Sequence, residues 1–378
     1  MKKLILLVSI LALFGCDQKL LPTSNNLGKI VINPQFEYAG EFSEGLALVR
    51  VGDNATGKYG FINKEGKYVI NPQFDYANSF SEGLAEIRVG DVKTGKYGFI
   101  NKEGKVVINP QFDGANKFSE GMASILIGSS KTGKWGFINK EGKIVINPAF
   151  TPTNLFGDVY ISPGDFSEGL APILVGDDAT GKWGYINKEG KIVINPQFSH
   201  AREFSDGFAP VRVGNEASGK WGYINKEGKI VINPQFDGAN DFKEGLASVK
   251  VGEGNDGKWG YINKEGKIVI NPQFDYAYQF SDGLASVRFG DWNKGKSGYI
   301  NKDGKFVVNP IFSNAEKFVD GMAIVQTEEK QEKKYGIINK EGKFLVEPQF
   351  DYLSGFSEGL SPVRYGSWND GKWGFISR

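Results

Sequence analysis

Thiols and imidazoles are nearly absent from this sequence, which has one cysteine, one histidine and three methionines in 378 residues. A single thiol excludes an intrachain disulfide and a multi-cysteine metal site. His200 has no second histidine and no cysteine to work with, so zinc and Ser-His-Asp chemistry have no support, and it reads as an exposed loop residue. An excess of charge of either sign is also missing. Lys plus Arg is 45, Asp plus Glu is 44, and the net charge is +1. That balance supplies no general field for nucleic acid or for an anionic membrane face. Beyond the first fourteen residues no apolar run is long enough to cross a bilayer. Carboxylates are plentiful, but they recur at turn positions such as Glu65, Glu103, Glu141, Glu189, Glu227 and Glu265. Turn chemistry explains a residue repeated at every turn better than catalysis does, and nothing singles out an acid–base pair for glycoside hydrolysis. Loops such as 176–179 and 253–257 lack the spaced ligands of an EF-type calcium loop. The expectation is a protein without metal or cofactor and without enzymatic activity.

What is present begins at the N-terminus. Lys2 and Lys3 precede an apolar stretch from Leu4 to Phe14, followed by Gly15 and Cys16. The ending Leu13-Phe14-Gly15-Cys16 resembles the lipobox of bacterial lipoproteins. The resemblance implies a signal peptide over 1–15, a diacylglycerol on Cys16, a tether over 16–27 and an extracytoplasmic place in the cell envelope, membrane-bound through lipid alone.

The remainder, 28–378, repeats one phrase. Aromatic-Gly pairs occur at Tyr59-Gly60, Tyr97-Gly98, Trp135-Gly136, Trp183-Gly184, Trp221-Gly222, Trp259-Gly260, Tyr335-Gly336 and Trp373-Gly374, with Ser297-Gly298 in the same slot, and they are spaced by 38 residues except for one spacing of 48. A fixed period of this length marks a propeller, solenoid or array. In the unit from Lys258 to Gly295, Trp259–Asn263 and Lys267–Asn271 are strand formers around Lys264-Glu265-Gly266, a tight hairpin. Pro272 ends the second strand. Leu284–Phe289 alternates as a third, half-buried strand. The first two strands are apolar on both faces, as strands sandwiched between units would be.

This phrase resembles the WG-containing, or KWG, repeat of bacterial proteins. The resemblance covers nearly all of 28–378 and implies an all-β repeat domain, often in secreted or envelope proteins and without an established enzymatic role. Nine tandem three-stranded antiparallel repeats are therefore expected. The chain enters at Gly28–Ile32 with a second strand and leaves at Trp373–Ser377 with a first strand. Pairing of those fragments favours a closed, propeller-like ring over an open β-solenoid. Departures from the repeat are the candidate binding residues. They are Phe156 and Tyr160 in the insertion 151–163, and Trp292 and Trp368 in two return loops. The expected function is a non-enzymatic, envelope-anchored binding or interaction scaffold for a protein or glycan partner. The alternative is a carbohydrate-binding or carbohydrate-active envelope protein.

Overall fold

The computed structural model describes residues 26–378 apart from 54, 157–158, 177–179, 216–217, 255, 330–331 and 368; for 153–156, 159–161 and 329 it describes the backbone alone. The signal peptide, Cys16 and most of the tether lie outside these residues, as does Trp368. Nine small antiparallel sheets stand side by side as the blades of a propeller. Eight blades have four strands and one has three. Blade 2 is representative: a two-residue strand Tyr76–Ala77, then Ala85–Val89, Lys96–Ile100 and Val106–Phe112, each paired with the one before it.

Two expectations change here. The blades are four-stranded rather than three-stranded, because Tyr76–Ala77 of the crossing segment joins the sheet as an inner strand. The repeating phrase also straddles two blades: its hairpin supplies the third and outer strands of one, and its last strand is the second strand of the next. The outer strand is not sandwiched. It is the free edge of each blade, and Ile268 and Val269 remain about 40% and 42% exposed. Its edge is blunted by Pro272, which removes a donor from the ladder.

The Trp-Gly pair is explained by that outer strand. Trp259 faces Phe274 and Tyr261 faces Ile270, so Asn271, Pro272 and Gln273 bulge out opposite Gly260. A Cβ on Gly260 would sit 2.5 Å from the Ile270 carbonyl oxygen and 2.6 Å from the Pro272 nitrogen. Only glycine fits beneath the bulge.

The ring closes as the end fragments imply. Ile30–Phe36 pairs with Lys372–Ser377, matching Ile32 with Phe375 and Phe36 with Trp373, and becomes the outer strand of blade 9. Gly28 repeats the role of the hairpin glycines: its α-carbon faces Val346 of the preceding blade as Gly66 faces Ile32. The closing blade is thus an ordinary blade whose outer hairpin is cut between Arg378 and Asn26.

Antiparallel order puts the inner turns and outer hairpins on one face, the turn face, and the second-to-third-strand loops on the other, the loop face. On the turn face, nine non-glycine residues hold a positive φ of 50–55° (Glu82 and its equivalents), each preceding a glycine in a type I′ turn. Left-handed backbone costs a residue with a Cβ roughly 1–2 kcal/mol, and Asn or Gly would fit better. The reason for Glu lies in the next blade. The Gly121 N–H donates to Glu82 Oε2 at 2.9 Å, and Lys140 Nζ lies 3.1 Å from the same oxygen. Hydrogen bonds to charged groups contribute about 1.5–3 kcal/mol, so the clamp outweighs the strain. Glu358 closes the series by taking Gly45 N–H (3.1 Å) and Lys64 (3.1 Å) across the seam.

Two predictions follow from closure and clamping. Deleting 372–378 should lower the melting temperature of the whole domain and strip amide-exchange protection from the distant strand Lys220–Ile224, whereas loss confined to the neighbouring blades would mean an open array. Glu82→Asn relaxes the turn but removes the clamp, and should destabilise by about 1 kcal/mol in denaturant titration. A stabilised variant would mean that strain, not clamping, dominates at this position.

Candidate functional site

The loop face is where the blades differ. Outside blade 8, whose strands run on to Glu329 and Glu332, each loop is pinched between two glycines, as at Gly90 and Gly95, where a Cβ on the first would lie 2.9 Å from the second's α-carbon. Asp91 accepts the Thr94 hydroxyl (2.6 Å) and the backbone N–H groups of Thr94 (2.9 Å) and Lys93 (2.7 Å), and these bonds, the hydroxyl foremost, hold its carboxyl below the ordinary value. Asp53 and Asp291 make equivalent turns. The aspartates of these loops therefore serve their own backbone.

A second set of carboxylates ties the loops down. Asp75 pairs with Lys58 of blade 1 (2.5 Å) and accepts Gly90 N–H of blade 2 (2.8 Å). The Lys58 bond, then the Gly90 N–H, lower its pKa below the usual carboxylate value. Glu37 does the same across the seam, between Lys372 and Gly52. Both faces of the ring are thus held by carboxylates that span adjacent blades.

Under the loops runs a belt of rings, alternating between third strands and inner strands. Tyr335, Tyr352, Trp373, Tyr38, Tyr59, Tyr76 and Tyr97 follow one another with centroids 5.3–6.3 Å apart. His200 belongs to this belt. It lies between Trp183 (5.4 Å) and Trp221 (5.3 Å), not in an exposed loop, and burial together with Arg202 and Arg212 pushes its pKa down to about 4. Where the inner residue is Gly114 or Gly238, the Trp135 or Trp259 ring reaches over it. The belt deepens at the seam into a cavity of about 730 Å³ lined by Tyr38, Tyr352, Trp373, Arg50, Arg364 and Asp370 among others.

Trp292 is about 54% exposed, yet it does not stand free. Its ring lies 4.4 Å from Tyr276 and 5.4 Å from the Arg288 guanidinium. Blade 7 carries Ser297 in the Trp-Gly slot. Arg288 fills the space, only 1% exposed, donating to Ser297 Oγ (3.1 Å) and to the Ser313 (2.7 Å) and Trp292 (2.9 Å) carbonyls. The loop tryptophan caps the gap that the missing ring leaves. Sequence reasoning missed this pairing, although Ser297 and Trp292 stand five residues apart.

The insertion forms its own two-stranded hairpin, Thr153–Phe156 with Val159–Ile161, separate from the blade sheets. It replaces the inner strand of blade 4 and rises on the loop face. Phe156 and Tyr160 lie on its two strands; their side chains are outside the described residues. Of the four candidate residues, Trp292 stands on the loop of blade 7, Phe156 and Tyr160 share the backbone of the inserted hairpin, and Trp368 lies outside the described residues. Among the described residues, no group of three or more His, Cys, Asp or Glu is placed to hold a metal ion.

Glu86 is a group that sequence reasoning missed. It takes a second-strand position occupied elsewhere by Leu48, Ser124 and Ile324, and it is 4% exposed. Burial raises its pKa to about 8, against a smaller opposing effect of the Asn78 amide. The fold keeps a proton that the unfolded chain releases above its ordinary value of 4.5, so this group's contribution to stability falls as pH rises from about 4.5 to about 8. Glu86→Gln should raise the melting temperature by several degrees above about pH 8 and leave it nearly unchanged below about pH 4.5. A pH-independent shift would exclude titration of this group as the cause.

Comparison with known proteins accords with this geometry. A family model described as WG containing repeat matches residues 24–54, 59–92, 97–129, 135–151, 183–216, 221–254, 259–291, 298–330 and 335–373. No curated protein matches the sequence. Among solved structures, a crystal structure of the eukaryotic initiation factor aligns with a TM-score of 0.60 and 13% identity over 84% of this chain and 91% of that one. The β-propeller domain of the Trilobed protease from Pyrococcus furiosus gives 0.38 and 10% over 73% and 99%. TolB from Acinetobacter baumannii gives 0.32 and 10% over 71% and 77%.

Proposed function

The chain belongs to the WG-containing repeat family, and from that premise we propose that it is a non-enzymatic interaction scaffold, tethered to the cell envelope through lipid on Cys16, that presents its loop face to a protein partner. The observation that carries this reading is the division between constant and variable parts. Clamps and hairpins recur from blade to blade, while the loops between second and third strands differ and all emerge on one side. The chain's entry supports the orientation. Asn26 lies beside Ser377, at the cut outer hairpin of blade 9, on the turn face. A tether leaving from that face keeps the turn face toward the membrane and the loop face away from it. Trp292 and the seam cavity with Tyr38, Trp373 and Arg364 supply the large aromatic and arginine side chains that anchor protein interfaces.

The test has two arms. A labelled lipid precursor should mark the wild type and not Cys16→Ser; equal labelling removes the anchor. A protein captured from envelope extracts by the wild-type domain should be lost with Trp292→Ala or Arg364→Ala and kept with Val107→Ser on the outer edge. Capture indifferent to both loop-face substitutions would refute the loop-face reading. A glycan partner is the alternative, and the seam cavity with its aromatic floor is the feature that favours it.

A further inference from the structure

The inner wall of the ring carries a second kind of variation. Seven of the nine inner segments have the form Ala-x-x-Phe, with Pro163 and Leu353 in the alanine's place in blades 4 and 9; Ala277 and Phe280 are buried in blade 7, and the two residues between them turn toward the central channel. Those two positions change from blade to blade, as in Asn78-Ser79, Arg202-Glu203 and Glu316-Lys317. The exposed outer strands, by contrast, hardly change. Solvent exposure alone therefore does not account for the variation inside the channel.

The wall is sealed by one recurring bond. At seven blades the serine of the inner turn donates to the carbonyl of the next blade's inner phenylalanine, as from Ser43 to Phe80 (2.8 Å), Ser81 to Phe118 (2.8 Å), Ser205 to Phe242 (3.0 Å), and Ser357 to Phe42 (2.6 Å) across the seam. Two blades lack the serine. Lys243 and Val319 stand in its place, so the Phe280 and Phe356 carbonyls receive no such hydroxyl. The wall opens at both. A cavity of about 600 Å³ borders Lys243, Asn240, Tyr278, Gln279, Glu316 and Lys317, and a much smaller one of about 40 Å³ lies against Val319 and Phe356.

The larger cavity is chemically furnished. Tyr278 offers a partly exposed ring, and Asn240, Gln279 and Asn314 offer amides. Among the lining side chains, Lys243 and Lys317 bring two ammonium groups against one carboxyl, Glu316, whose burial and proximity to Glu41 raise its pKa to about 7; a second carboxyl, Asp241, stands behind the lining. Gln279 Nε2 donates to Asp241 Oδ2 at 3.3 Å, which holds the Gln279 amide in place. The volume falls within the roughly 300–1,000 Å³ of small-molecule sites. One aromatic surface amid amides and charged groups suits a hydroxylated ring better than an acyl chain.

We propose that this channel-side cleft, opened by Lys243 in place of serine, binds a short saccharide, with Tyr278 as its stacking surface and the two lysines favouring an acidic sugar. The site is separate from the loop face and does not depend on the partner proposed there.

Digalacturonate and diacetylchitobiose serve as acidic and neutral probes in calorimetric titration of the whole domain. Digalacturonate should bind, and more tightly than diacetylchitobiose. Tyr278→Ala should weaken binding at least tenfold. Lys243→Ser restores the missing hydroxyl and reseals the wall, so it should also lose binding at least tenfold while melting at or above the wild-type temperature. That variant separates loss of the site from loss of the fold. Trp292→Ala should leave saccharide binding unchanged. Failure of both probes to bind the wild type, tighter binding of the neutral probe, or binding that survives Lys243→Ser would each overturn the proposal.

Discussion

Nine carboxylate side chains sit on left-handed backbone at the inner turns, and the ring depends on them. Each is a locally unfavourable choice, because a type I′ turn prefers residues that tolerate positive φ. The choice makes sense only across a blade boundary, where at most blades the carboxylate receives a backbone N–H from the neighbouring turn and a lysine from the hairpin beyond it. Strain that is small and local is offset by bonds that are stronger and reach the next unit. The loop-face carboxylates follow the same plan from the opposite side. A blade without neighbours would keep the strain and lose the compensation, so the repeat is stable as part of a ring rather than as a unit.

Much of this architecture is written in short-range pattern. The period, the hairpin around Lys264-Glu265-Gly266 and the complementary end fragments are all local signals, and each corresponds to what the structure contains. The errors have physical causes. Tyr76–Ala77 is too short to show an alternating pattern, so the inner strand was invisible and the blades read as three-stranded. Outer strands such as Ile268–Phe274 carry Ile270 and Phe274 packed against the following blade beside the exposed Ile268 and Val269, and composition alone does not separate an apolar edge from an apolar interior. The clamps join residues 39 and 58 apart, beyond any window in which periodicity is read. His200 was misplaced for a related reason, since its burial comes from two tryptophans on different blades.

The aromatic belt shows how a repeat tolerates unequal members. Large rings meet small partners, as Trp135 meets Gly114, and medium rings meet each other, as Tyr59 meets Tyr76. Blade 7 departs furthest, and a buried arginine with a loop tryptophan restores the volume that Ser297 gives up. Close packing is thus conserved as a sum over neighbours, while individual positions vary. This freedom allows the nine blades to differ at the loops and in the channel without disturbing the ring.

The closing hairpin is made from the two ends of the chain, with Asn26 and Ser377 in contact although 351 positions separate them. During synthesis the strand Ile30–Phe36 is therefore the first to emerge and the last to find its partner. At ordinary translation rates of about 5–20 residues per second, it waits for tens of seconds. Throughout that wait, successive third strands appear that are nearly identical to its proper mate. Premature pairing with any of them would seal a smaller, wrongly curved ring and strand the rest of the polypeptide outside it. Ring size is consequently decided late, by the wedge that each finished blade imposes on its neighbour, and the newborn chain's hazard is a miscount rather than a misfold.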